Sequence, residues 1–128
     1  MKVKDKKLQN LECIAMLVVH CDMEKVGKVG YLERQQERYI RTYAKSHGIK
    51  VVGVMSNKGM GQYETNKLFN QAVNAIQTKK VQGIIAINML TLSADLPDAY
   101  LKVGKVRSSG GEMITVDEGR LMLRIQRR

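Results

Sequence analysis

A single three-layer α/β domain with a mainly parallel sheet is the fold class predicted for this 128-residue chain, on three observations. Short apolar runs alternate with amphipathic segments of helical period, the connections between them are brief, and no internal repeat or low-complexity linker breaks the order. Strands joined through helices must cross over right-handed and pack those helices back onto the sheet, which makes neighbouring strands parallel. A chain of this length buries roughly two-thirds of its unfolded surface in one core, so it needs neither disulfides nor a structural metal.

Each element follows in order. Residues 13–19, CIAMLVV, form a nearly continuous apolar run that suits a strand covered on both faces. Leu32, Tyr39, Ile40, Tyr43 and Ala44 recur at helical spacing over residues 31–47, and Gly48 supplies a left-handed stop. Residues 49–55 read as a second strand. Leu68, Phe69, Ala72, Val73 and Ile76 then mark an amphipathic helix that Thr65 is placed to cap. Residues 83–89 give a third buried strand, after which Ser93 or Asp95 caps a third helix, Pro97 fits its first turn and residues 108–111 end it. Residues 113–116 supply a fourth strand. Ligands of such sheets meet the edge where strands end and loops begin, which here gathers residues 19–30, 56–64 and 90–95.

Composition narrows the function classes. Hydrophobic residues at 44% and charged residues at 27% are those of a globular chain, which excludes a disordered or fibrous one. No apolar run approaches the roughly 20 residues needed to cross a bilayer, and the lysine-rich start lacks a signal-peptide core, so the cytoplasm is the expected compartment and no membrane partner is expected. Cys13 and Cys21 sit too far apart along one strand and its exit to bridge, and reduced thiols are expected. His20 and His47 form no metal-ligand spacing with them, and no metal or other cofactor is expected.

A net charge of +10, from 22 Lys+Arg against 12 Asp+Glu, favours a polyanionic partner such as DNA. Much of the excess falls on Lys2, Lys4, Lys6, Lys7, Arg120, Arg124, Arg127 and Arg128, where a solvated tail is the plain alternative. Gly27-Lys28-Val29-Gly30 and Gly59-Met60-Gly61 each follow a strand and precede a helix, where backbone amides can cradle phosphate, yet neither completes a nucleotide-binding fingerprint and loop flexibility accounts for both. The methionines fall mostly at apolar-periodic positions, as core filler. Tyr31, Tyr39 and Tyr43, at helical spacing, are expected to pack before they could stack on bases.

The first strand ends Leu17-Val18-Val19-His20-Cys21, and the next helix opens Tyr31-Leu32-Glu33-Arg34-Gln35, with Glu37, Ile40 and Ala44 after it. Asn57-Lys58-Gly59-Met60-Gly61 leads to Thr65-Asn66-Lys67-Leu68, residues 84–94 carry Leu92 and Ser93, and Val116-Asp117-Glu118-Gly119-Arg120-Leu121-Met122-Leu123 closes the pattern. Over residues 12–125 this order resembles the N-terminal catalytic domain of the serine recombinases, the resolvase and invertase group. In that family the corresponding stretches read Y-x-R-x-S, S-L-x-x-Q, D-x-G-x-S-G with R-P-x-L, V-V-V-x-x-L-D-R-L-S-R and I-D-T followed by G-R-L. The resemblance implies a resolvase-like domain over residues 1–128, with site-specific DNA recombination as the family activity; the separate DNA-reading domain to which the family's chain leads is not expected here, since no helix-turn-helix is encoded. Leu32 and Gln35 are retained.

The departures fall on the chemistry. The family's serine attacks a DNA phosphodiester while arginines hold the phosphate, and the resemblance puts the nucleophile at Cys21 and the arginines at Val19, Thr65, Thr91 and Ala94. None of those positions keeps an arginine. Removing even one charge-stabilising donor costs about a hundredfold to a thousandfold in rate, so strand cleavage is not expected. Leu90, where the family has a carboxylate, implies a pocket repacked as core. Cys21 reads either as a thiolate nucleophile, aided by His20, Lys25 or Lys28, or as a small buried thiol. Neighbouring strand residues point to opposite faces, which places His20 poorly for the first role.

In the family the segment resembling residues 119–128 begins a long oligomerisation helix. Here Leu121, Met122, Leu123 and Ile125 would leave an apolar stripe in need of a partner, which predicts a homodimer or homotetramer. Lys58, Arg120 and Arg124 are the cations assigned to DNA. The expected protein is thus a catalytically degenerate recombinase relative acting through DNA association or assembly. The alternative is an enzyme that uses Cys21 on a phosphorylated substrate held by lysine-rich loops.

Overall fold

A computed structural model describes residues 8–20 and 26–122. The elements run β1 (Glu12–Leu17), α1 (Val29–His47), β2 (Lys50–Ser56), α2 (Gln62–Gln77), β3 (Gly83–Ala86), α3 (Met89–Leu92), α4 (Leu96–Ser108), β4 (Glu112–Thr115) and β5 (Gly119–Leu121), with a 3-10 turn at Val26–Lys28 leading into α1. They form one five-stranded sheet in the order β2-β1-β3-β4-β5, parallel except for β5. This is the α/β architecture predicted from the alternating pattern.

The period of two along the strands divides the core. Cys13, Ala15, Leu17, Ile85 and Ile114 face α1, where Ile40 and Ala44 cover them. Ile14, Met16, Ile84, Ala86 and Met113 face the other way, against Phe69, Ala72, Val73 and Ile76 of α2 and Val103 and Val106 of α4. Burying each of the larger side chains contributes about 1.5–3 kcal/mol, which makes this double-sided packing the main source of stability. Gly83 lets β3 approach its neighbours closely: a Cβ there would lie 2.6 Å from the Glu112 carbonyl oxygen and 3.1 Å from Cys13 Sγ. Gly48 ends α1 in the left-handed conformation, φ 72°, as predicted. On the outermost strand, Val52 is an extra residue between the pairs Cys13↔Val51 and Ile14↔Gly53, a β-bulge.

Several expectations are corrected. β3 stops at Ala86 rather than running to Met89, because the Asn88 side chain accepts the Thr91 N–H at 2.9 Å and starts α3. Thr65 does not cap α2; Gly61 occupies that place, and Thr65 lies buried one turn inside, donating to the Gly61 carbonyl at 2.9 Å. Of the two residues expected to cap α4, Asp95 is the one that does, accepting the Asp98 N–H at 2.8 Å. Gly119 opens a strand instead of a helix: with φ 78° it turns the chain back so that Gly119, Arg120 and Leu121 pair with Thr115, Ile114 and Met113. Of the expected terminal stripe, Met122 is exposed, and Leu123 and Ile125 lie outside the described residues. Gly30 falls within α1, and Tyr31 and Tyr39 are exposed rather than packed.

Candidate functional site at the loop edge of the sheet

Chain order reverses between β1 and β3, so their exits diverge and leave a crevice at the C-terminal edge of the sheet. A cleft of about 330 Å³ opens there, lined by Val18 and Val19 from the β1 exit, Leu32, Gln35 and Tyr39 from α1, and Thr91 beyond β3. The predicted Gln35 is therefore at the cleft. Its neighbour Gln36 holds the β1 exit in place, with its amide nitrogen donating to the Val18 carbonyl at 2.5 Å and its amide oxygen accepting the Val18 N–H at 3.1 Å. His20 spans the crevice, its Nε2 lying 3.1 Å from the Thr91 carbonyl oxygen. Cys21 lies outside the described residues.

The second loop is built around Asn57, which is 1% exposed. Its Oδ1 accepts the N–H groups of Val19 and Gly59, both at 3.0 Å. Its Nδ2 donates to the Val19 carbonyl at 3.3 Å and to Thr65 Oγ1 at 3.1 Å. One amide thus ties the β1 exit to the turn before α2 and to the helix itself. The backbone N–H and carbonyl groups of Val18 and Val19 are all bound by the side chains of Gln36 and Asn57.

Lys58 stands next to this clamp in a left-handed turn, φ 53°, with its side chain 72% exposed. Its Nζ lies 3.4 Å from Glu33 Oε2, while Ser56 Oγ donates to Glu33 Oε1 at 2.7 Å. The third loop is fixed by carboxylates: Glu118 Oε1 accepts the Met89 N–H at 3.0 Å and the Thr115 hydroxyl at 3.1 Å, and Asp117 accepts the Asn88 amide at 2.9 Å.

The positions that the recombinase resemblance assigned to arginine are occupied as follows. Val19 and Thr65 are buried, Thr91 sits in the capped turn of α3, and Ala94 is exposed. Leu90 corrects the repacked-core expectation, since it is 67% exposed and projects from α3 into solvent. Arg120 is 16% exposed and lies 3.6 Å from Glu112, which also accepts from Arg107 at 2.7 Å. Glu112 opens β4, so this cluster sits at the opposite end of the strand from the crevice. Arg124 lies outside the described residues. Cys13 is wholly buried, and burial, with the Glu112 carboxylate adding to it, pushes its thiol up to about 12, which leaves it inert. Among the described residues no three His, Cys, Asp or Glu side chains gather as a metal site, and no helix is long and apolar enough to cross a membrane.

Asn57, Gln36, Glu33 and Glu118 organise this edge, and sequence reasoning gave none of them a role. The only signal was positional, a polar residue placed directly after an apolar strand run, as Asn57 is.

The sequence matches no protein-family model and no curated protein. Solved structures do match it. A resolvase family site-specific recombinase from Streptococcus pneumoniae superposes with a TM-score of 0.69 at 15% identity, over 86% of this chain and 74% of that one. The N-terminal catalytic domain of TP901-1 integrase gives 0.66 at 17% identity, over 84% and 79%. The C-terminal catalytic domain of ISC1926 TnpA, an IS607-like serine recombinase, gives 0.60 at 19% identity, over 83% and 67%. The chain has the fold of serine recombinase catalytic domains.

Proposed function

We propose that this chain is a serine-recombinase-fold protein that has lost strand-cleavage chemistry and acts in a recombination context through DNA association and self-assembly. The occupancy of the crevice carries this reading. Phosphoryl transfer on DNA relies on cations aimed at the reacting phosphate, and among the described residues the cleft lining brings no lysine or arginine, its polar side chains being Gln35, Gln36, His20, Tyr39 and Thr91. Lys58, the cation of the second loop, is balanced by Glu33. Of the other cations assigned to DNA, Arg120 is engaged with Glu112 and Arg124 remains an assignment from sequence. Assembly as a homodimer or homotetramer is supported by Leu96, Tyr100 and Leu101, exposed apolar side chains on α4.

Incubation of the purified chain with supercoiled plasmid tests the loss of cleavage. The expected result is unchanged plasmid at stoichiometric protein, for the native chain and for Cys21→Ser alike. Nicked or relaxed product from either would overturn the proposal.

A further inference from the structure

We infer that the outward face of α1 is a docking surface for the phosphate backbone of duplex nucleic acid. This rests on the DNA-associated reading above and locates the contact on a helix face away from the crevice. Arg34, Arg38, Arg41 and Lys45 follow one another at intervals of four, three and four residues, which sets them in a single line along the helix. All four are exposed, while the buried residues of α1, Ile40 and Ala44, lie on its other side.

Two features separate this line from an ordinary solvated face. Exposed helices normally interleave signs so that residues four apart attract, but here Arg34 and Arg38, and again Arg41 and Lys45, repel at that spacing. Among the described residues only Arg41 has a counter-ion, Glu37 at 2.7 Å, while Arg34, Arg38 and Lys45 pair with no carboxylate there. The opposite layer differs: α4 sets Asp98 against Lys102 and Arg107 against Glu112. A polyanion would relieve the repulsion along α1, and the line has the length for one. From Arg34 to Lys45 the helix rises about 16 Å, close to the rise of five base pairs at about 3.4 Å each along one strand. Contacts of this kind hold the backbone and do not read sequence.

The test uses the full chain and a labelled duplex of mixed sequence, with anisotropy read across 50–200 mM salt. The native chain is expected to bind with an affinity that falls steeply as salt rises. Replacing Arg34, Arg38 and Lys45 together with Gln, a good helix former, is expected to weaken binding at least about tenfold and to lower the log–log salt slope by about 2–3, at about 0.9 per phosphate contact. The double variant Arg34→Lys with Arg38→Lys, which keeps the charge, is expected to bind within a few-fold of native. So is the triple variant Lys67→Gln, Lys80→Gln and Lys105→Gln, which removes equal charge from the other layer. Equal losses in the two neutralised triples, or native binding by the α1 triple, would overturn the α1 surface and leave the DNA reading intact. Tighter binding to phosphatidylserine vesicles than to the duplex would overturn it in favour of a lipid surface. No duplex binding by the native chain at 50 mM salt would remove the DNA reading and the α1 surface together.

Discussion

Asn57 shows how much one buried side chain can organise. Its amide makes four hydrogen bonds across three segments, to the Val19 N–H, the Val19 carbonyl, the Gly59 N–H and the Thr65 hydroxyl. Truncation leaves those groups without their partner in a site closed to water, and stranding a buried donor costs more than a hydrogen bond is worth on average. Asn57→Ala is therefore expected to destabilise the protein by about 2–3 kcal/mol, read as a lower urea midpoint with unchanged slope. Asn57→Asp should also destabilise, because a carboxylate keeps the acceptor toward Val19 N–H and Gly59 N–H but faces the Val19 carbonyl with no donor. The sequence marks Asn57 only as a polar residue after an apolar run. Its bonding depends on where β1 ends in space, which no local pattern records.

The elements that sequence reveals are those whose neighbours are averaged into a pattern. α1 and α2 each bury one side, β1 and β4 are buried on both and β2 alternates, and these apolar patterns locate them within a few residues. α3 and β5 are different, because each exists through particular partners. Asn88 starts α3, Glu118 receives its first N–H, and Gly119 turns the chain so that β5 can reach β4. The candidate site was legible in part for the same reason. Gln35 was placed at the cleft by motif, whereas the ion pairs that occupy Lys58 and Arg120 depend on Glu33, remote in sequence, and on Glu112, brought near by the β4–β5 turn. Gly83 tests element packing directly, since an added Cβ meets the Glu112 backbone oxygen at 2.6 Å and the strands would have to part. Gly83→Ala is expected to lower stability by roughly 1–3 kcal/mol, as for overpacked cores, with the loss visible as a fall of several degrees in thermal midpoint.

The whole molecule responds to acid through an ion pair within α4, where that helix meets Phe69 of α2. Lys102 is buried against Phe69, its Nζ 5.7 Å from the ring centre, and is neutralised by the Asp98 carboxylate. The hydrogen bond from Lys102 holds the Asp98 carboxyl below its ordinary range, against the opposing effect of burial and with the charge of Lys102 adding to it. A carboxyl lowered in the folded state stabilises fully above its unfolded value of about 3.9, and that contribution is lost as pH falls through the folded value. Asp98→Asn is expected to reduce stability at neutral pH by about 1–2 kcal/mol, a modest figure because the Asp98 side chain is a third exposed, and to flatten the decline below about pH 4. Denaturant midpoints measured from pH 2.5 to 7 check both. At the rim of the same sheet, Val52 and Val54 meet water on an outermost strand that another chain could zip onto. The bulge at Val52 breaks that strand's ladder after Val51, and bulges of this kind bend an edge away from partners, so the oily selvedge is left a shorter template for fibrillar stacking.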